Sequence, residues 1–534
     1  MSRPDEQKSV VFDLVEGGGQ DAAAEAADGP ADDVGTGTGR RSWLPNVSRR
    51  TWLVAAAAVV AALVAVTAVD LVQDHQRAEL MRASSVGVAS LAEPPTETWT
   101  VPYDVPVGQG QDVSLGQQVV TMDGLVVVPP ADAQDFWIDA STGMANQRPA
   151  GFEDVVAIDP GSGEVAWRVP VDERPACGPS GFDASASTDT LVCVHGPDDA
   201  REVLAIAPDG TARARPADLA AGEQVFAGPD GMVVRTVRTG EPVGTVECDS
   251  LGQCLPESLT EARDLLVTAE DAGTGRERWT STVEFDQINT NNCQAVPEDG
   301  DWSTTASAVD PDLVTVRAGA ETVVVDGCGV SATFSPIGVR LDLVGAVPPP
   351  VWVDELGSGR YALDRNGMAT VVVNAAGEVL RTLDGSLRTE STSPDAPDDI
   401  VFVTRQSGTG FEAVREDGAV AWAETYAQGV LLVGREVVVV DRGIRLVGLD
   451  RETGAELWTS STEDLVAMAR LRTLTDGETV ATHYLPNEGA GPGLLIALDL
   501  STGERLWDVP MTGSAVAVDG HLVEFTRDGL RGLG

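Results

Sequence analysis

Apolar residues along most of this chain fall in short valine-rich runs, each bounded by Gly, Asp, Asn or Pro. Val155-Val156 precedes a turn at Asp159, and Leu494-Leu495-Ile496 precedes another at Asp499. Runs this short, broken so often by turn formers, predict strands rather than amphipathic helices. Long helical patterns are nearly absent, so the expectation for residues 99–534 is an all-β domain.

One run breaks the pattern. Trp52 to Val69 (WLVAAAAVVAALVAVTAV) carries no charge and continues into Asp70, Leu71 and Val72, which is about the 20 residues a helix needs to cross a bilayer. Arg40, Arg41, Arg49 and Arg50 precede it and Asp70 and Asp74 follow it, so positive charge places the N-terminus in the cytoplasm. The expected order is a disordered cytoplasmic tail (1–50), a transmembrane helix (51–72), an extracytoplasmic stalk ending at Pro94 and Pro95 (73–98), and the β domain outside the plasma membrane. A cleaved signal peptide is the rival reading, but its apolar core seldom follows so long a polar segment. In the tail, Val10, Val11, Phe12, Leu14 and Val15 form an apolar island, read either as a docking peptide for a cytoplasmic partner or as a chance cluster.

Four segments align without gaps: AIDPGSGEVAW, AEDAGTGRERW, GLDRETGAELW and ALDLSTGERLW. Each places an aspartate, then Ser or Thr, then glycine, then tryptophan at the same spacing: Asp159, Ser162, Gly163, Trp167; Asp271, Thr274, Gly275, Trp279; Asp450, Thr453, Gly454, Trp458; and Asp499, Thr502, Gly503, Trp507. An aspartate accepts hydrogen bonds from backbone N–H groups ahead of it, and glycine supplies the positive φ that closes a turn. The repeat is therefore strand, turn, strand, with tryptophan filling space between neighbouring sheets. Weaker copies keep the turn at residues 207–210, at 374–377 and at 415–418, the last with Trp422, and a degenerate copy is expected near Val325-Asp326-Gly327.

The motif resembles the tryptophan-docking repeat of quinoprotein dehydrogenases and their non-catalytic relatives in bacterial envelopes. That resemblance implies a β-propeller of four-stranded blades, eight by the count of turns and alternatively seven. It also implies that Trp167, Trp279, Trp458 and Trp507, with Asp159, Asp271, Asp450 and Asp499 and Gly163, Gly275, Gly454 and Gly503, dock blades rather than catalyse.

The formal net charge is -47, which repels nucleic acid and suits a solvated surface, with specific cation capture the alternative. Lys8 is the only lysine, resembling the codon bias of a GC-rich actinobacterium; a halophile would look similar. All six cysteines, Cys177, Cys193, Cys248, Cys254, Cys293 and Cys328, follow the apolar segment, as expected on an oxidising side. Proximity favours the pairs Cys177 with Cys193, Cys248 with Cys254, and Cys293 with Cys328, among fifteen complete pairings.

Catalytic chemistry is sparse. A quinone-dependent dehydrogenase of the resembled family needs two adjacent cysteines, and none are adjacent here; a C-x-x-C-H haem motif is also missing. His75, His195, His483 and His521 are too scattered to suggest a metal cluster, and Asp395, Asp398 and Asp399 read as solvated turns. No cofactor is expected. The expected role is a membrane-anchored, non-enzymatic binding or scaffold protein of the cell envelope with an envelope protein or cell-wall ligand as partner. An envelope sensor acting through the tail is the alternative, and a quinone-dependent dehydrogenase the second alternative.

Overall fold

β-Branched residues are stiff at χ1 and sit well on a pleated surface. The runs Thr370–Asn374 (TVVVN) and Val437–Asp441 (VVVVD) accordingly form strands buried on both faces. A computed structural model describes residues 76–534 apart from 105–118, 131–150, 172–174, 180–185, 198–199, 241–262, 287–310, 345–351, 365–368, 388–390, 405–409, 463–467, 487–491 and 527. The tail, the apolar segment 51–72, the island Val10 to Val15, and Cys248, Cys254 and Cys293 lie outside these residues. Among the described residues no helix is long and apolar enough to cross a membrane.

The described strands build nine sheets, where the sequence predicts eight or seven. The first holds Val120–Met122, Leu125–Val128, Val155–Ile158 and Val165–Val169 in antiparallel succession. Sheets two to eight follow within residues 176–216, 223–283, 314–334, 352–383, 386–424, 429–461 and 468–511. The ninth combines the two ends of the β region: Ser514–Val518, His521–Phe525 and Gly529–Leu533 receive Glu97–Pro102 as their fourth strand, with Glu97 opposite Leu533 and Pro102 opposite Gly529. Apolar clusters join consecutive sheets, as where Leu432, Val439 and Trp458 of the seventh meet Val480, Ile496 and Leu498 of the eighth.

Two expectations are corrected. Val325-Asp326-Gly327 is part of a strand, Val323–Gly327, and not a repeat turn; the equivalent turn runs from Ser335 to Gly338, closed by a bond from Gly338 N to Ser335 O at 2.9 Å. Among the described residues sheet four has three strands. Arg340 and Asp342 cover its edge instead, Asp342 Oδ1 accepting from Thr333 N at 3.1 Å and Arg340 donating to Ser331 O at 3.4 Å.

The second concerns the segment read as a stalk, 73–98, whose described residues are built into the β body. Residues 76–82 are helical with Met81 buried, and Arg77 reaches Asp395 at 3.2 Å and Glu478 at 3.1 Å. Gly87 and Val88 then bridge Thr475 and Gly520, and Leu91 N donates to Asp476 Oδ2 at 2.7 Å. The apolar residues Met81, Val88 and Leu91 make this happen, since exposing them on a free stalk would forgo their burial.

Candidate functional site

The repeat turn is a small hydrogen-bonded unit. Asp159 Oδ1 accepts from Gly161 N at 3.0 Å, from Ser162 N at 2.8 Å and from Ser162 Oγ at 2.9 Å. Asp271 and Asp450 accept the corresponding amide and hydroxyl of Thr274 and Thr453, and Asp499 those of both Ser501 and Thr502. These bonds hold all four carboxyls below the usual carboxylate range: chiefly the Ser162 amide at Asp159, the Thr274 and Thr453 hydroxyls at Asp271 and Asp450, and the Ser501 hydroxyl at Asp499.

Each turn receives a side chain from the sheet before it. The indole N–H of Trp167 donates to Pro208 O at 2.8 Å, that of Trp279 to Pro336 O at 3.1 Å, and that of Trp458 to Leu500 O at 2.7 Å. The ring then lies on the turn glycine. Gly503 has φ +70° and a Cβ there would approach the Trp458 ring to 2.4 Å, so glycine is required both for conformation and for contact. Trp422 makes the same bond to Arg451 O at 2.8 Å.

Sequence reasoning missed three further members. Trp99, on the strand borrowed by the ninth sheet, donates to Pro160 O at 2.9 Å and covers Gly163. In sheet two Arg215 takes the place of tryptophan, its Nε donating to Ala272 O at 2.8 Å beside Gly275. Arg381 of sheet five donates to Val414 O at 3.3 Å and to Arg415 O. A side chain at the fourth strand with an N–H aimed along it was the signal, and arginine carries one as well as tryptophan does. Trp507 completes the set differently: its indole donates to Leu91 O at 2.8 Å, so the N-terminal segment stands where a repeat turn would be.

These contacts align the repeat turns along one end of the sheets. The connections from second to third strand, and from each sheet to the next, therefore leave from the opposite end. In the sequence the three longest of them, residues 129–154, 239–264 and 284–313, which lie mostly outside the described residues, carry eighteen Asp or Glu against two arginines, Arg148 and Arg263. At the same end Trp352 and Tyr426 are 69% and 80% exposed, and a hollow of about 660 Å³ opens between Arg201, Glu202, Asp218 and Glu223. At the repeat-turn end, residues 76–91 occupy the surface of sheets eight and nine.

The free edges of two first strands are taken by the chain itself. Ala186 and Ser187 pair in parallel with Val120 and Thr121 of sheet one, and Thr392 bridges Val433 of sheet seven, with Ser393 N donating to Val433 O at 2.8 Å. Of the acids read as solvated turns, Asp395 meets Arg77, Asp398 meets Arg360 at 3.4 Å, and Asp399 meets the buried Arg451. Cys177 and Cys193 face one another across adjacent strands and are bonded, as proximity predicts; Cys328 is also disulfide-bonded. His195 and His483 are buried in strands, while His521 sits beside Gly161. Among the described residues no three His, Cys, Asp or Glu side chains converge as a metal site.

Residues 363–528 match a protein family described as outer membrane protein assembly factor BamB, of the PQQ-like repeat. Solved structures similar to this chain include BamB from Moraxella catarrhalis, at 12% identity and TM-score 0.38, over 83% of this chain and 97% of that one. A quinohemoprotein alcohol dehydrogenase from Pseudomonas putida is similar at 12% identity and TM-score 0.31, over 82% of this chain and 72% of that one. No curated protein matches. The strands and repeat turns of residues 363–528, which include Trp422, Trp458 and Trp507, are thus similar to those of this repeat family.

Proposed function

We propose that this chain is a membrane-anchored, extracytoplasmic β-propeller that acts as a non-enzymatic binding or scaffold protein of the cell envelope, its nine sheets serving as blades. The apolar segment 51–72 is the anchor, with the N-terminus cytoplasmic. The observation that carries the reading is the asymmetry of the two ends: one is partly covered by residues 76–91, and the other bears the exposed Trp352 and Tyr426. Loops displayed from a rigid frame are the usual place for binding. The family matched by residues 363–528 is described as an assembly factor, which favours a protein partner.

Photo-crosslinking in intact cells tests this. A crosslinking residue at Trp352 or Tyr426 is expected to capture an envelope protein, while one at Thr453, in a repeat turn, is not. Capture only from Thr453, or from neither end, refutes the assignment. The dehydrogenase alternative predicts that pyrroloquinoline quinone and calcium give a bound-cofactor absorbance, and we expect none.

One observation favours the sensor as a second reading. Arg77 bonds Asp395, which lies in the same loop as Ser391 and Ser393, and these reach Thr473 O of sheet eight and Val433 O of sheet seven. A shift of that loop would be felt at Arg77, close to the proposed anchor. Deleting residues 9–16 should then abolish a cellular response while the β body stays folded.

A further inference from the structure

The contact between sheets four and five is unlike the others. Among the described residues sheet four has three strands, no indole or guanidinium from it reaches the next turn, and a Cβ at Gly377 would meet the Val339 and Val344 side chains. Carboxyl chemistry crosses this seam instead. Glu355, on Trp352–Gly357 of sheet five, puts Oε1 into the hairpin turn of sheet four, accepting from Thr322 Oγ1 at 2.5 Å and from Glu321 N at 3.0 Å. A Cβ at Gly319 would come within 2.1 Å of that oxygen, so the turn has room for the carboxylate only because residue 319 is glycine. Glu321 answers from the other side: its Oε2 accepts from Gly359 N at 3.1 Å and its carbonyl from the Tyr361 hydroxyl at 3.3 Å.

The groups facing Glu355 are thus Thr322 and Glu321 from sheet four and Tyr361 from its own sheet. Neither carboxylate has an ion pair among the described residues. We propose that this seam is a proton-sensitive joint, tightened when Glu355 takes up a proton and loosened when Glu355 is ionised beside Glu321. Burial, aided by the Glu321 charge, pushes the Glu355 carboxyl up, against the opposing hydrogen bonds from Thr322 and the Glu321 amide. Burial and the same two carboxylates push the Tyr361 hydroxyl up, so it stays a donor. For a carboxyl raised in the folded state, the stabilising contribution is complete at low pH and is lost as pH rises through the folded value.

Hydrogen exchange on the full-length chain, at about pH 5 and about pH 7.5, reads the joint directly. Intrinsic rates are corrected and protection is compared with the seam at Trp458. In the native protein, residues 314–334 and 352–364 should exchange severalfold faster, relative to that reference, at the higher pH. Glu355→Gln, which keeps the acceptor oxygen without the charge, should stay protected at both pH values, and Glu321→Gln should reduce the difference. An equal pH response in native protein and Glu355→Gln overturns the proposal, as does no response in the native protein. If Glu355→Gln does not fold, Glu321→Gln decides alone: an undiminished difference refutes the joint.

Discussion

Trp507 shows what one side chain contributes here. It is 7% exposed and its indole N–H bonds Leu91 O, so Trp507→Ala removes both packing and a donor, at about 3–5 kcal/mol for a buried aromatic. Trp507→Phe keeps most of the apolar volume and strands the carbonyl, at about 1–3 kcal/mol. Thermal melting of the two variants should rank them in that order. His483 supplies a pH signature. Burial, with the nearby Arg472 charge, depresses it from 6.5 to about 4, so the folded chain keeps it neutral while the unfolded chain protonates. Its stabilising contribution is therefore present above pH 6.5 and lost as pH falls towards 4. Denaturant midpoints should decline over that window, and His483→Gln should remove part of the decline. Residues of this kind were only partly legible. The four full repeats could be read because spacing alone defines them, whereas the burial of His483 depends on which strands flank it.

At the scale of elements, the question is why some sheets were legible and others were not. A fourth strand carrying tryptophan after a glycine turn is readable, but Arg215 and Arg381 perform the same donation with no shared letter in the sequence. The turn of sheet four is hard to read because Ser335-Pro336 stands where the full repeats carry an aspartate, and among the described residues no fourth strand with a tryptophan follows it. The ninth sheet was invisible because its tryptophan, Trp99, is separated from its other strands by most of the chain. The arginine substitution is testable. Arg215 bonds Ala272 O and pairs with Glu270 at 2.9 Å, which Arg235 also contacts at 2.8 Å. Arg215→Ala should cost about 1–3 kcal/mol through the carbonyl left unpaired, whereas Arg213→Ala, on the same strand but exposed, should stay within about 0.5 kcal/mol. Chemical unfolding midpoints distinguish the two. Equal losses would mean the guanidinium does not substitute for an indole.

For the molecule as a whole, the pairing of Glu97–Pro102 with Gly529–Leu533 sets the order in which it can be completed. The strand Glu97–Pro102 is made long before its partner, Gly529–Leu533, and waits for it. Contacts of such long sequence separation are slow to form, since the chain entropy of closure is lost before they reward it. A chain stopped before Gly529 would hold an unpaired edge at Glu97–Pro102, and such edges invite pairing with other chains. Until Gly529–Leu533 has been made, Glu97–Pro102 has no such strand to pair with, and that open edge is what a folding helper or a protease would meet.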